Sequence, residues 1–232
     1  MNEPNALPIL KVGAIPRILA LVPILLIVEC ADAHAQAPRH DVQEWNELQV
    51  IAPLHPRLDL VLDAQLRFGD QISRVVTGRG SVGLTFKLSR HFSLTPGYVY
   101  QDAEPILHRK SNEHRITLAG AVTVSKGKFT FTDNNLIERR LLNSRPDSTR
   151  YRNRLRVGHP AVVGGLSFDV FLSDEVYYDW SVNAWVRNRF STGAGRRLTD
   201  RLYAEVFFLR QNDGHVRPGD ISAIGAVLRI RL

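Results

Sequence analysis

Apolar and polar residues alternate one by one over segments of about ten to thirteen residues, and this period of two constrains the fold more than any other feature. In residues 57–68 the even positions Leu58, Leu60, Leu62, Ala64, Leu66 and Phe68 are all apolar. The odd positions Arg57, Asp59, Asp63, Gln65 and Arg67 are polar, with Val61 the one exception. Successive strand side chains point to opposite faces, so such a segment has one greasy face and one charged face.

The pattern recurs down the chain. Val76, Gly78, Gly80, Val82, Leu84 and Phe86 alternate with Arg79, Ser81 and Thr85. His114, Ile116, Leu118, Val122 and Val124 alternate with Glu113, Arg115, Thr117 and Thr123. Leu166, Phe168, Val170 and Leu172 alternate with Ser167, Asp169 and Ser173. Comparable segments near 42–52, 92–101, 127–140, 150–157, 183–193, 200–211 and 220–232 bring the candidates to eleven. Soluble strands are commonly about 5–6 residues long, whereas a tilted strand needs about 9–11 to cross a bilayer. Short connections at 89–91 and 125–127 alternate with long polar ones at 102–111, 141–149 and 212–219, as in outer-membrane barrels. Phe86, Phe92 and Phe129 lie beside the short turns. Phe68, Tyr100, Tyr177, Tyr178 and Trp180 lie toward the long loops, and the two groups read as two aromatic girdles.

The predicted fold is therefore all-β: a transmembrane antiparallel up-and-down barrel of about 10–12 strands. Single-chain bacterial barrels have even strand numbers, so parity predicts ten or twelve, with twelve favoured. The last strand, 220–232, presents Ile224, Ala226, Leu228, Ile230 and Leu232 opposite Arg229 and Arg231. Such an amphipathic finish suits engagement of a barrel-assembly machinery, although a terminal Phe or Trp is more usual than Leu.

The N-terminus reads as a secretory signal. Lys11 and Arg17 are followed by an apolar run, 18–28, too short to span a bilayer as a helix. Ala33-His34-Ala35 then supplies small residues for cleavage before Gln36. Residues 1–35 are expected to be removed and 36–232 to form one barrel domain in a Gram-negative outer membrane. Cleavage raises the net charge from +7 to +8 and removes Cys30, the single cysteine, leaving packing and hydrogen bonds to hold the domain. One cysteine excludes a disulfide scaffold and a Cys-based zinc site.

With lipid outside, the charged face becomes the lumen. Of the 30 basic residues, 25 are Arg. Arg67, Arg115, Glu138, Arg140, Arg152, Arg154, Arg156, Glu175, Arg187, Arg189 and Glu205 are the candidate lumen and anion-binding residues. Arg suits lateral pairing because its planar fork takes carboxylates bidentately and stays charged. These groups either seal the lumen by ion pairing or form a cationic constriction for a small anionic solute. About 10–12 strands are too few for a general porin.

Other functions find less support. His114 near Ser111 is the nearest approach to a lipid-modifying active site, with no Ser-His-acid spacing, so no catalytic residue is expected. His55, His91, His159 and His215 form no metal motif, and Gly193-Ala194-Gly195 lacks the Lys-Ser/Thr of a phosphate loop. No cofactor follows. The arginines alternate into an interior instead of forming a basic patch, so no nucleic-acid partner is expected. A barrel acting through its loops and a soluble periplasmic barrel are the remaining alternatives.

Several short motifs carry a resemblance. They are the Trp45 segment, Gln65-Leu66-Arg67, Asn134 to Arg140 (NNLIERR), Tyr151 to Arg156 (YRNRLR) and Trp185 to Arg189 (WVRNR). Over about residues 41–232 the chain resembles a family of bacterial outer-membrane β-barrels catalogued only as a domain of unknown function. The resemblance implies an exported barrel and no assigned activity.

Overall fold

The computed structural model describes residues 40–232, all in strands and their connections. The expected signal segment, its cleavage site and Cys30 lie outside the described residues. The strands are β1 (His40–His55), β2 (Leu58–Gly69), β3 (Arg74–Lys87), β4 (Phe92–Ala103), β5 (Ser111–Lys126) and β6 (Phe129–Leu142), followed by β7 (Ser148–Val163), β8 (Leu166–Asp179), β9 (Ala184–Arg197), β10 (Leu202–Asp213) and β11 (Asp220–Arg231). Each pairs antiparallel with its sequence neighbour, and the sheet closes into a barrel. The predicted all-β barrel is thus the observed architecture.

Parity misled the strand count: the described barrel has eleven strands, neither ten nor twelve. An odd number starts the first and last strands at the same end. Closure therefore uses a parallel pair, with β1 and β11 in register from His40↔Asp220 to Ile51↔Arg231. Closure leaves no edge, so every strand has a neighbour on each side.

Connections 56–57, 88–91, 127–128, 164–165 and 198–201 lie at one end, the turn end. Connections 70–73, 104–110, 143–147, 180–183 and 214–219 lie at the other, the loop end. The loops at 102–111 and 141–149 shrink by one or two residues at each side, and that at 212–219 by two at its start, because their flanks join the strands.

Alternation decides the two faces. Outward side chains are apolar and exposed, such as Ile116 (61%), Val206 (61%) and Ile224 (65%). Inward ones are mostly polar and buried, among them Gln65, Glu113, Glu138 and Gln211. A polar patch interrupts the outer face on β6 and β7. There Asn153 Nδ2 donates to Asp133 Oδ1 at 2.6 Å and Asn135 Nδ2 to Asp133 Oδ2 at 2.8 Å. Tyr151 caps the patch by donating its hydroxyl to Asn135 at 2.5 Å.

Two residues depart from the simple pattern. Val76 belongs by phase with the outer face, but the register shifts between Arg67 and Phe68 on β2, and Val76 is buried. A bulge adds one unpaired residue and so reverses the phase beyond it. Tyr177, expected in a girdle, is 1% exposed inside the barrel. It shares the inward phase of Glu175 and Asp179, and proximity to the loop end did not determine its direction.

Part of the lumen wall is apolar. Trp45, Leu209, Ile221 and Ala223 form a buried cluster with Phe207 packed against it. Gly225 makes this possible, since a Cβ there would overlap the Phe207 ring. Gly195 of the Gly-Ala-Gly stretch similarly clears space for the Tyr203 hydroxyl.

Candidate functional site

The lumen site grows from β5 through β9, whose inward positions carry most of the charge. Glu138 on β6 is the hub. Its carboxylate accepts from Arg150 Nε at 3.0 Å, from Arg152 Nη1 at 3.0 Å and from Arg115 Nη1 at 3.4 Å. β7 supplies Arg150 and Arg152 because successive inward positions stack along one strand, and Glu138 lies directly opposite Arg150. Glu113 on β5 takes Arg115 Nε at 2.9 Å and is also bonded by Arg140, whose Nη2 lies 3.1 Å from it. Arg140 Nη1 reaches Asp179 at 3.4 Å.

Glu175 on β8 takes Arg152 Nη2 at 2.7 Å and the Tyr177 hydroxyl at 2.6 Å. Arg189 donates to that same hydroxyl and, through Nε, to Gln211 Oε1 at 2.8 Å. Arg187 is held by Asp213 at 2.7 Å. Arg156 forms a two-bond fork on Glu205, at 2.7 and 3.1 Å, with its guanidinium carbon 3.5 Å from the Phe171 ring centroid.

The candidate residues therefore divide. Arg115, Glu138, Arg140, Arg152, Glu175 and Arg189 form one connected network. Arg156–Glu205 and Arg187–Asp213 are separate pairs. Arg154 lines the smaller cavity, toward the turn end, without a hydrogen bond or close ion pair among the described residues, and acts on Glu175 at longer range. Among the described residues Arg67 has no carboxylate within ion-pair distance; its Nε donates to Gln65 Oε1 at 2.8 Å and its guanidinium stacks on Trp45 at 3.8 Å.

Two cavities occupy the lumen. The larger, about 890 Å³, opens among the loop-end residues; twelve Arg or Lys side chains line it against Glu113, Asp179 and Asp213. The smaller, about 350 Å³, faces the turn end, with eight arginines against five carboxylates. The positive excess is thus greatest at the loop end. The cavities share five lining residues, Arg67, Arg79, Arg115, Arg152 and Arg189, all arginines.

Sequence reading missed Arg79 as a site residue and placed Tyr177 elsewhere. Strict alternation was the signal available for both, since Arg79 shares the phase of Ser81 and Thr85 and Tyr177 that of Glu175. On the outer face, Tyr98 Oη and His114 Nδ1 are 2.5 Å apart. Ser111, three positions from His114, lines the inner cavity, so these two groups lie on opposite sides of the wall. Among the described residues no three His, Cys, Asp or Glu side chains converge to hold a metal.

The sequence matches the family model described as a protein of unknown function, DUF2490, over residues 42–218. The chain belongs to this DUF2490 family. That match contains most of the barrel from β1 to the last loop, and with it the arginine layer. No curated protein matches this DUF2490 chain. Among solved structures it is similar to an anion-selective porin from Comamonas acidovorans, at 15% identity and a TM-score of 0.34, over 73% of this chain and 55% of the porin. The DUF2490 chain thus spans about half the length of that porin.

Proposed function

We propose that the protein is an outer-membrane barrel whose arginine-lined lumen admits small anionic solutes from the loop end. What supports this reading is that, among the described residues, the lining shared by the two cavities consists of five arginines. Any solute moving between them passes guanidinium groups, and a ring of fixed cations favours anions.

The membrane setting rests on the outer surface. A soluble barrel would expose an energetically costly apolar belt. In a bilayer the same belt meets lipid, while closure pairs every backbone group inside the wall. The mature barrel should then require detergent and migrate anomalously on gels unless heated; a freely soluble monomer refutes the membrane setting. In planar bilayers the purified barrel should conduct with a reversal potential displaced toward the anion. Cation preference, or no conductance from correctly folded barrel, overturns the transport reading.

The dense ion pairing around Glu138 favours one second reading, a lumen closed by its own salt bridges and a function located in the loops. Zero conductance in both the parent protein and the Glu138→Gln variant would support it.

A further inference from the structure

We propose that Arg67, Arg79 and Trp45 form a binding site for a small organic carboxylate where the two cavities meet. This deepens the anion-lumen reading, though binding at the site does not require conduction through it.

Arg67 and Arg79 sit on adjacent strands, with Gln65 opposite Arg79 and Arg67 opposite Thr77. Of the two guanidiniums only Arg79 reaches a carboxylate, Glu47, among the described residues. Arg79 Nη2 reaches it at 3.3 Å, and Arg67 is linked to it only through Gln65, whose Nε2 donates to Glu47 at 2.7 Å. The buried Nε of Arg79 has no hydrogen-bond partner. The two Nη groups of Arg67 make no hydrogen bond among the described residues either, while Arg79, Arg187 and Arg189 all stand near enough to repel it. The buried Arg79 Nε is costly without an acceptor, and the half-buried Arg67 lines both cavities, where its Nη groups can meet an anion.

Shape points to a carboxylate. The free edge of Arg67 offers two parallel N–H donors, the arrangement a planar carboxylate accepts bidentately. Trp45 fixes that edge: its ring is covered by Arg67 at 3.8 Å and by Arg189 at 4.9 Å. Its own N–H is already given to Gln43 at 2.8 Å, so Trp45 contributes a rigid apolar wall and no competing donor.

Trp45 also provides the readout. The chain has three tryptophans, Trp45, Trp180 and Trp185. In a Trp180→Phe/Trp185→Phe background, Trp45 alone reports on the site. Folded barrel in detergent is titrated with acetate, inorganic phosphate and chloride at constant ionic strength. Acetate should give a saturable fluorescence change with a lower midpoint than phosphate or chloride. Arg67→Gln and Arg79→Gln should each raise that midpoint tenfold or more, and Arg67→Lys should raise it as well by removing the fork. Arg145→Gln, at the mouth of the larger cavity, should leave it unchanged. Equal midpoints for the three anions, or midpoints insensitive to Arg67→Gln and Arg79→Gln in heat-modifiable barrel, overturn the site. Saturable acetate binding without conductance refutes transport while keeping the site, whereas anion conductance with no Trp45 response does the reverse.

Discussion

Arg156 on β7 and Glu205 on β10 are joined by two hydrogen bonds of 2.7 and 3.1 Å, although β8 and β9 separate their strands in the sheet. The pair therefore spans two intervening strands, with the Arg156 guanidinium lying over Phe171 of β8. Removing Glu205 frees a cation, and removing Arg156 strands a buried carboxylate. A double-mutant cycle with Arg156→Ala and Glu205→Ala should give a coupling of about 1–3 kcal/mol in urea unfolding. Additive single effects would show that the pair does not hold the barrel.

Glu138→Gln should be the most damaging single change among the lumen carboxylates. It leaves Arg115, Arg150 and Arg152 without their shared partner. Breaking a buried pair costs roughly 3–5 kcal/mol, which should appear as a lower temperature for loss of the compact gel form. A melting temperature equal to the parent's would contradict the hub role.

Arg154 offers the opposite test. Because it pairs closely with none of the described residues, Arg154→Ala should change stability by no more than about 0.5 kcal/mol. It should nonetheless lower the anion-to-cation permeability ratio, measured from the reversal potential in a salt gradient. An unchanged ratio would locate selectivity away from this residue.

The glycine under Phe207 tests the packing of the apolar wall. Gly225→Ala should cost about 1–3 kcal/mol by overpacking, and Phe207→Leu in the same chain should recover part of it. No loss on Gly225→Ala would mean that the ring can move aside.

The odd strand number has a direct chemical test. Asn46 faces Ala226 across the parallel seam. Asn46→Cys/Ala226→Cys should crosslink within the folded chain on oxidation and shift its migration, while Asn46→Cys/Leu232→Cys should not. Failure of the first pair to crosslink in folded barrel would argue against closure through β1 and β11.

Much of this fold was legible because alternation is local. Leu58 to Phe68 and Glu113 to Val124 each reveal two faces without knowledge of any partner strand. The inward phase of Arg67, Arg115, Arg152 and Glu205 followed from the same rule. The rule failed at Val76, where a bulge in the pairing with β2 reversed the phase, and at Tyr177, where position along the chain was weighed above phase. It also could not say that Arg154 would stand apart while Arg152, two residues away, bonds both Glu138 and Glu175.

The amino-acid sequence by itself determined a set of long two-faced strands, short and long connections in alternation, and an interior dominated by arginine. Those properties depend on side-chain polarity and a two-residue repeat within each strand. Only the tertiary structure decided that eleven strands close through a parallel pair. It also decided that Arg156 finds Glu205 beyond two intervening strands, and that five arginines line both lumen cavities. These depend on register and on the stagger accumulated around the barrel, which bring together residues that no local pattern relates.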